Sequence, residues 1–333
     1  MSSLISQSLL PAFEETGQLQ VMHLKRYWQK CMLRRTGQAK PDEFKNEFQL
    51  DKTLLFTLGL GLEQTVISLY SNAPSFDEFE RWVIDTVGYP PAEKIARFNK
   101  AITDKNSGIR RPVPNVLTAE QLDFWNENGY LIIKDAVPKE DCEKTIEVIC
   151  NFIGIERENP ETWYNSHPAR QGIMVQLFQD PILEKNRDSE KVRAVYEQLW
   201  GTTDLWVSAD RVGFNPPESG TWKFPGPRLH WDTELEVPFP FGLQGILYLA
   251  DTAENQGAFS LVPGFHNRLE DWLTSLNGTN PYDQNLYDLG CIPIAANAGD
   301  FIIWHHALPH GSSTNTSTKP RFVQYFTYDP SGV

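Results

Sequence analysis

Arg228-Leu229-His230-Trp231-Asp232 is the stretch on which the reading of this chain turns. Read as a strand it alternates, so His230 and Asp232 share one face and Trp231 takes the other. An imidazole and a carboxylate on one face can hold two corners of a metal ion. Candidates for a third ligand follow in Trp304-His305-His306-Ala307-Leu308-Pro309-His310-Gly311-Ser312. On a strand His305 and His306 point to opposite faces, so only one of that pair could face the metal, and His310 competes with them. Eleven residues beyond His310, Arg321 opens the apolar stretch Arg321-Phe322-Val323-Gln324-Tyr325-Phe326-Thr327. Two histidines and one carboxylate with open positions form the facial triad of non-haem Fe(II) oxygenases. An arginine at this offset suits a salt bridge to the far carboxylate of 2-oxoglutarate.

Outward from that stretch, the C-terminal half reads as strands parted by Pro and Gly. Leu205 to Phe214, Leu229 to Thr233, Leu243 to Leu249, Ala258 to Val262, Asp300 to His305 and Arg321 to Tyr328 all qualify. Many short strands with such turns predict a double-sheet jelly roll, or double-stranded β-helix. The N-terminal part is helical instead. Apolar periodicity predicts helices over Gly17 to Arg35 and Lys52 to Ser71. Ser75 with Glu78 has capping-box spacing, and Gly88 with Pro90 stops that helix. Another helix is expected over Pro91 to Lys105. Ser107-Gly108-Ile109-Arg110-Arg111-Pro112-Val113-Pro114 reads as a linker. Beyond it, Thr118 with Gln121 caps a helix ended by Gly129, Tyr130 to Ile133 is a short strand, and Pro138 opens a helix with Cys142, Ile146, Ile149 and Ile153 on one face. The expected fold is therefore α+β: a jelly roll with flanking helices over 113–333, preceded by an all-helical region over 1–112.

At this point the chain resembles a known family. Thr118-Ala119-Glu120-Gln121-Leu122-Asp123-Phe124-Trp125-Asn126-Glu127-Asn128-Gly129-Tyr130 is similar to the opening of the phytanoyl-CoA dioxygenase family. So are Glu254-Asn255-Gln256-Gly257-Ala258-Phe259-Ser260-Leu261-Val262-Pro263-Gly264-Phe265-His266 and the run from Gly299-Asp300-Phe301 to His310-Gly311-Ser312. The motifs occur in the family's order between Leu117 and Tyr328. The resemblance implies His230, Asp232 and His310 as iron ligands, because the family places the distal ligand directly before Gly-Ser. It implies Arg321 as the 2-oxoglutarate anchor, the same jelly roll, and Fe(II), 2-oxoglutarate and O₂ as the reacting set. The sequence departs from the family in one strand, where several members carry Trp and this chain reads Gln244-Gly245-Ile246-Leu247-Tyr248. Gln244 is the polar group expected to face the cosubstrate there. In related halogenases a small residue replaces the carboxylate; Asp232 keeps it, which points to hydroxylation or desaturation.

Composition narrows the partners. The 333 residues carry a formal charge of −13, a surface that repels phosphate backbones, so no nucleic acid is expected. The most apolar run, Leu54 to Tyr70, is interrupted by Glu63 and Gln64 and is short for a membrane span. Met1 to Gln7 lacks the order of a signal peptide. Cys31, Cys142, Cys150 and Cys291 show no C-x-x-C spacing and fit reduced thiols in a cytoplasmic protein. Any homo-oligomer is expected to form through the N-terminal helices.

The expected reaction is oxidation of a small organic molecule, with 2-oxoglutarate decarboxylated to succinate. Arg211, Trp222 and Trp231 are the candidate substrate contacts. His266 is a candidate support for the centre. A zinc hydrolase or isomerase on the same three ligands is the first alternative, and Arg321 tells against it, because such an enzyme does not need that guanidinium. A non-catalytic small-molecule binding protein of the same fold is the second.

Overall fold

The computed structural model describes residues 10–104 and 111–331. The proposed linker residues Ser107 to Arg110 and the N-terminal Met1 to Gln7 lie outside them. By its internal contacts the chain divides into two compact units.

The first unit is built around helices Leu24–Arg35, Phe48–Leu58, Leu62–Asn72, Phe76–Val87 and Ala92–Thr103. Two expectations are corrected here. Helix begins at Leu24 rather than Gly17, and the single helix expected over Lys52 to Ser71 is two helices bent by 96°. Gly59 makes the break: at φ 71° it caps the first helix in a left-handed conformation that favours glycine. No single helix among the described residues is long and apolar enough to cross a membrane. Leu24, Tyr27, Leu54, Leu58, Phe79, Val83 and Phe98 form the core.

A buried ion cluster ties two of these helices. The Lys30 ammonium, fully buried, meets Asp51 at 2.5 Å and Glu47 at 2.9 Å, while His23 meets Asp51 at 2.7 Å. His23, Glu47 and Asp51 have the donors of a metal site, but the ammonium already sits among them as their cation.

This unit is not continuous in sequence. Trp200–Asp210 and Asp329–Val333 belong to it as well as the first 113 residues. Trp206 is 5% exposed, packs edge-on against Phe98 and lies under the Arg97 guanidinium at 3.8 Å. The expected division at 112/113 therefore omits two later excursions of the chain.

The second unit, Pro114–Leu199 with Arg211–Tyr328, is a sandwich of antiparallel sheets. In chain order its strands are β1 (Tyr130–Ile133), β2 (Arg170–Gln171), β3 (Met174–Val175), β5 (Val212–Asn215), β6 (Leu243–Tyr248), β7 (Phe259–Leu261), β8 (Ile292–Pro293), β9 (Phe301–His305), β10 (His310–Ser312) and β11 (Arg321–Tyr325). β4 (Leu205–Val207) pairs instead with β12 (Tyr328–Pro330). The strand expected over Leu205 to Phe214 is thus two strands in different sheets. The larger sheet runs β1-β9-β6-β11-β5-β3-β2 and the smaller β10-β7-β8. Their facing sides share one core, with Ile246, Tyr248, Ile302, Trp304 and Val323 from the first and Phe259 and Leu261 from the second. The Tyr248 hydroxyl accepts from the Phe259 N–H at 2.8 Å and donates to the Ile294 carbonyl at 2.9 Å, satisfying its polar end inside that core.

The far face of the larger sheet is covered by helices Lys139–Ile153, Pro181–Arg187 and Glu190–Trp200. Gln324 reaches out of β11 to accept from Asn186 at 2.8 Å and to donate to the Leu183 carbonyl at 2.9 Å. Both capping boxes form as their spacing predicts, at Ser75 with Glu78 and at Thr118 with Gln121. All four cysteines are free thiols.

Candidate active site

The strand expected over Leu229 to Thr233 does not form. Only His230 joins a ladder, through an isolated antiparallel bridge to His310. Two hydrogen bonds, His230 N–H to the His310 carbonyl at 2.9 Å and the reverse at 3.0 Å, make that bridge. It requires Gly311. A Cβ there would stand 2.7 Å from the Arg228 carbonyl oxygen, so only glycine lets the two backbones approach.

The bridge brings the ligand candidates together. One donor atom from each of His230, Asp232 and His310 lies within 4.8 Å of the others. His230 Nε2 is 3.2 Å from Asp232 Oδ1, and His310 Nε2 is 3.1 Å from Asp232 Oδ2. Each imidazole spends Nδ1 on a carbonyl two residues back, Arg228 at 2.7 Å and Leu308 at 3.0 Å. That fixes which nitrogen faces the centre. Partial loss of solvent around the half-exposed side chain would raise the Asp232 carboxyl, but hydrogen bonds from both imidazoles and their charge outweigh it and hold the group far below the usual carboxylate range. Burial likewise lowers His230, and the Asp232 carboxylate overcomes it to leave that imidazole above its ordinary value. Two neutral-capable imidazoles and one carboxylate suit a divalent cation that accepts N and O ligands.

Trp231 goes the other way. It is 4% exposed, its indole N–H donates to the Ala307 carbonyl at 2.9 Å, and its ring packs on Phe265 and Trp272. It is core, and the substrate contact expected of it is corrected. Trp222 is half-buried beside Tyr164, with no hydrogen bond to the centre. Arg211 precedes β5, and its carbonyl accepts from Tyr325 N–H at 3.1 Å, which continues the β5–β11 register and sets Arg211 on the face of Val323 and Arg321.

Arg321, the first residue of β11, is fully buried. Nη2 donates to the Ser312 hydroxyl at 3.0 Å, while Nε and Nη1 find no hydrogen-bond partner among the described residues. Ser312 shares a face with His310 on β10, which links the arginine to the ligand group through one short strand. Val323 and Tyr325 lie on the face of Arg321, Val323 deep in the core and Tyr325 packed against it.

Gln244 does not end in open space. Its Nε2 donates to Asp232 Oδ2 at 2.5 Å and its Oε1 accepts from the Trp304 indole at 3.1 Å. Trp304 and Ser312 are the two contributors that residue spacing did not single out. Ser312 could have been found as the residue two beyond His310 on one strand; Trp304 depends on the β6–β9 register.

The remaining histidines stand apart from this group. His305 ends β9, its Nδ1 accepts from Ala307 N–H at 3.0 Å, and its ring lies against His266 at 5.3 Å and Phe241 at 5.1 Å. His306 Nε2 binds the Pro240 carbonyl at 2.5 Å, and its ring meets Phe239. They fasten the loop between Asp232 and Gln244 to the sheet. His266 bonds the Asn126 carbonyl at 3.2 Å and is not in contact with the ligand group.

Residues 125–323 match the family model described as Phytanoyl-CoA dioxygenase (PhyH), more than half of the chain. A putative phytanoyl-CoA dioxygenase of Dictyostelium discoideum is 24% identical over 264 residues, 63% of this chain and 75% of that protein. The peroxisomal phytanoyl-CoA dioxygenase of Homo sapiens is 27% identical over 230 residues, 60% of this chain and 65% of that protein. Among solved structures, EctD from S. alaskensis with bound Fe superimposes at a TM-score of 0.48 with 17% identity, covering 67% of this chain and 83% of that one. The sandwich of antiparallel sheets, the two-histidine, one-carboxylate group and the matched span agree: the chain belongs to the phytanoyl-CoA dioxygenase family of Fe(II)/2-oxoglutarate-dependent oxygenases.

Proposed function

We propose that the chain hydroxylates a C–H bond of a small organic molecule, consuming 2-oxoglutarate and O₂ and releasing succinate and CO₂. His230, Asp232 and His310 would hold Fe(II), on a sandwich that we read as a jelly roll. Arg321 would take the far carboxylate of 2-oxoglutarate. Bound there, Fe(II) supplies the activation of O₂ that couples cosubstrate decarboxylation to substrate oxidation. The chain's own residues do the rest. The imidazoles present Nε2, Asp232 adds one negative charge, and Val323 lines the approach to the guanidinium with apolar surface. Retention of the Asp232 carboxylate favours hydroxylation over halogenation. Arg211, on the same face, is assigned to an anionic group of the substrate.

The observation that carries this reading is the buried Arg321 with two donors unmet among the described residues. A guanidinium stays charged at any physiological pH, and leaving it buried without a counter-ion costs several kcal/mol. The planar far carboxylate of 2-oxoglutarate matches its fork. A zinc hydrolase on the same ligands has no use for it.

The test is a 2-oxoglutarate titration of wild type and Arg321→Ala loaded with Fe(II) under anaerobic conditions. Removing one partner of a buried charged pair costs roughly 3–5 kcal/mol, about two to three and a half decades of affinity. The variant should bind 2-oxoglutarate that much more weakly and bind Fe(II) as wild type does. Unchanged 2-oxoglutarate affinity would sink the reading and promote the zinc alternative.

A further inference from the structure

We propose that Gln244 is a positioning residue whose amide, oriented by the Trp304 indole, fixes the Asp232 carboxylate for the metal. The inference rests on the reading of His230, Asp232 and His310 as the metal ligands.

Asp232 needs such support. It lies outside any strand and its side chain is 54% exposed. The nearest ladder contact is the single bridge at His230. A carboxylate on an irregular segment can turn about its side-chain torsions, and only its hydrogen bonds set its plane. Among the described residues, two of its three hydrogen-bonding side-chain partners are the imidazoles, whose Nε2 lone pairs a bound cation would take. The Gln244 amide is the third; it takes one lone pair of Oδ2 and leaves Oδ1 and both imidazole nitrogens to a cation.

The direction of the amide is also determined. Gln244 and Trp304 are register partners across β6 and β9, so their side chains leave the sheet on one face. An indole N–H can only donate, and an ionised carboxylate can only accept. Both neighbours therefore demand the same orientation, oxygen to Trp304 and NH₂ to Asp232. Trp304 is itself buried, 3% exposed, and packed between Phe259 at 4.3 Å and the His310 ring at 5.1 Å. A buried indole thus aims a flexible amide at a ligand that its own backbone leaves loose. Groups that hydrogen-bond a metal ligand from outside commonly govern metal affinity by 10–100-fold.

The experiment is anaerobic Fe(II) titration of the full chain as wild type, Gln244→Leu, Trp304→Phe and the double variant. The absorption band that appears when 2-oxoglutarate joins Fe(II) is read alongside. Gln244→Leu should bind Fe(II) about 10–100-fold more weakly and shift that band, which loss of fold stability alone would not do. Trp304→Phe should lose part of the same affinity by freeing the amide to turn. The double variant should be no weaker than Gln244→Leu, because both changes cut one relay. Wild-type binding with Gln244→Leu within about twofold of it overturns the relay alone, and so do losses that add in full. If Gln244→Leu does not fold, an unchanged affinity in Trp304→Phe overturns the relay by itself. Wild type that binds no Fe(II) overturns the reading of the ligands, and the relay falls with it.

Discussion

His310 is chosen over its neighbours by what each ring does with its nitrogens. His310 spends Nδ1 on the Leu308 carbonyl and keeps Nε2 for the centre, whereas His306 spends Nε2 on the Pro240 carbonyl, which leaves the ring no place there. Anaerobic Fe(II) titration should therefore show binding abolished in His310→Ala and retained in His306→Ala. The reverse pattern would refute the assignment. At this scale much could be read from the sequence. His230 with Asp232, the later His-Gly-Ser and Arg321 eleven residues on are all recognisable as spacings. Gln244 was recognisable as a polar residue in an apolar strand, but its partner was not. That contact joins residues twelve apart at one end and sixty apart at the other, through a strand register that local spacing does not encode.

The elements that departed from expectation did so where tertiary contacts overrode local pattern. Leu229 to Thr233 keeps the alternation of a strand, with Leu229 and Trp231 in the core, yet the His230 bridge is all the ladder it makes. The loop from Asp232 to Gln244 is then held by histidines that spacing alone had offered as ligands. His305 is one of them. Burial, together with the charges of His306 and His266, pushes its pKa down to about 3. An unfolded histidine titrates near 6.5, so the unfolded chain takes up this proton first as pH falls. The stability from neutral His305 is thus fully present above about pH 6.5 and is lost progressively toward pH 3. Between about pH 6.5 and 5, where few carboxylates titrate, the melting temperature of wild type should fall more steeply than that of His305→Phe. Parallel curves for the two proteins would show that His305 is not buried as a neutral ring.

At the scale of the whole molecule, the sequence announced an all-helical first part and a strand-rich second part, and both are present. What it could not announce is that the first part recruits segments from far along the chain. Leu205–Val207 looks like any short strand, and its apolar residues carry no label saying which core they enter. Trp206 enters the helical core, where Phe98 and the Arg97 guanidinium cover it, and Asp204 accepts from Arg97 at 2.6 Å. Asp329 adds an ion pair to Lys52 at 2.9 Å. The first unit is thus a set of helices closed by two returning strands. A chain beginning at Pro112 would keep Leu205–Val207 and Asp329 but lose the helices Phe48–Leu58 and Ala92–Thr103 that they contact. It would expose Trp206, now 5% accessible, and leave Asp204 without its arginine. Deleting the contacts of a buried Trp costs about 3–5 kcal/mol, a large fraction of the roughly 5–15 kcal/mol that a domain has to lose. The shortened chain should aggregate or melt well below the full chain in a thermal denaturation series. Replacing Trp206 and the apolar face of Leu205–Val207 with polar residues in that shortened chain should recover solubility. A shortened chain that stays soluble, melts like the full protein and binds Fe(II) without those changes would show that the returning strands do not depend on the helices.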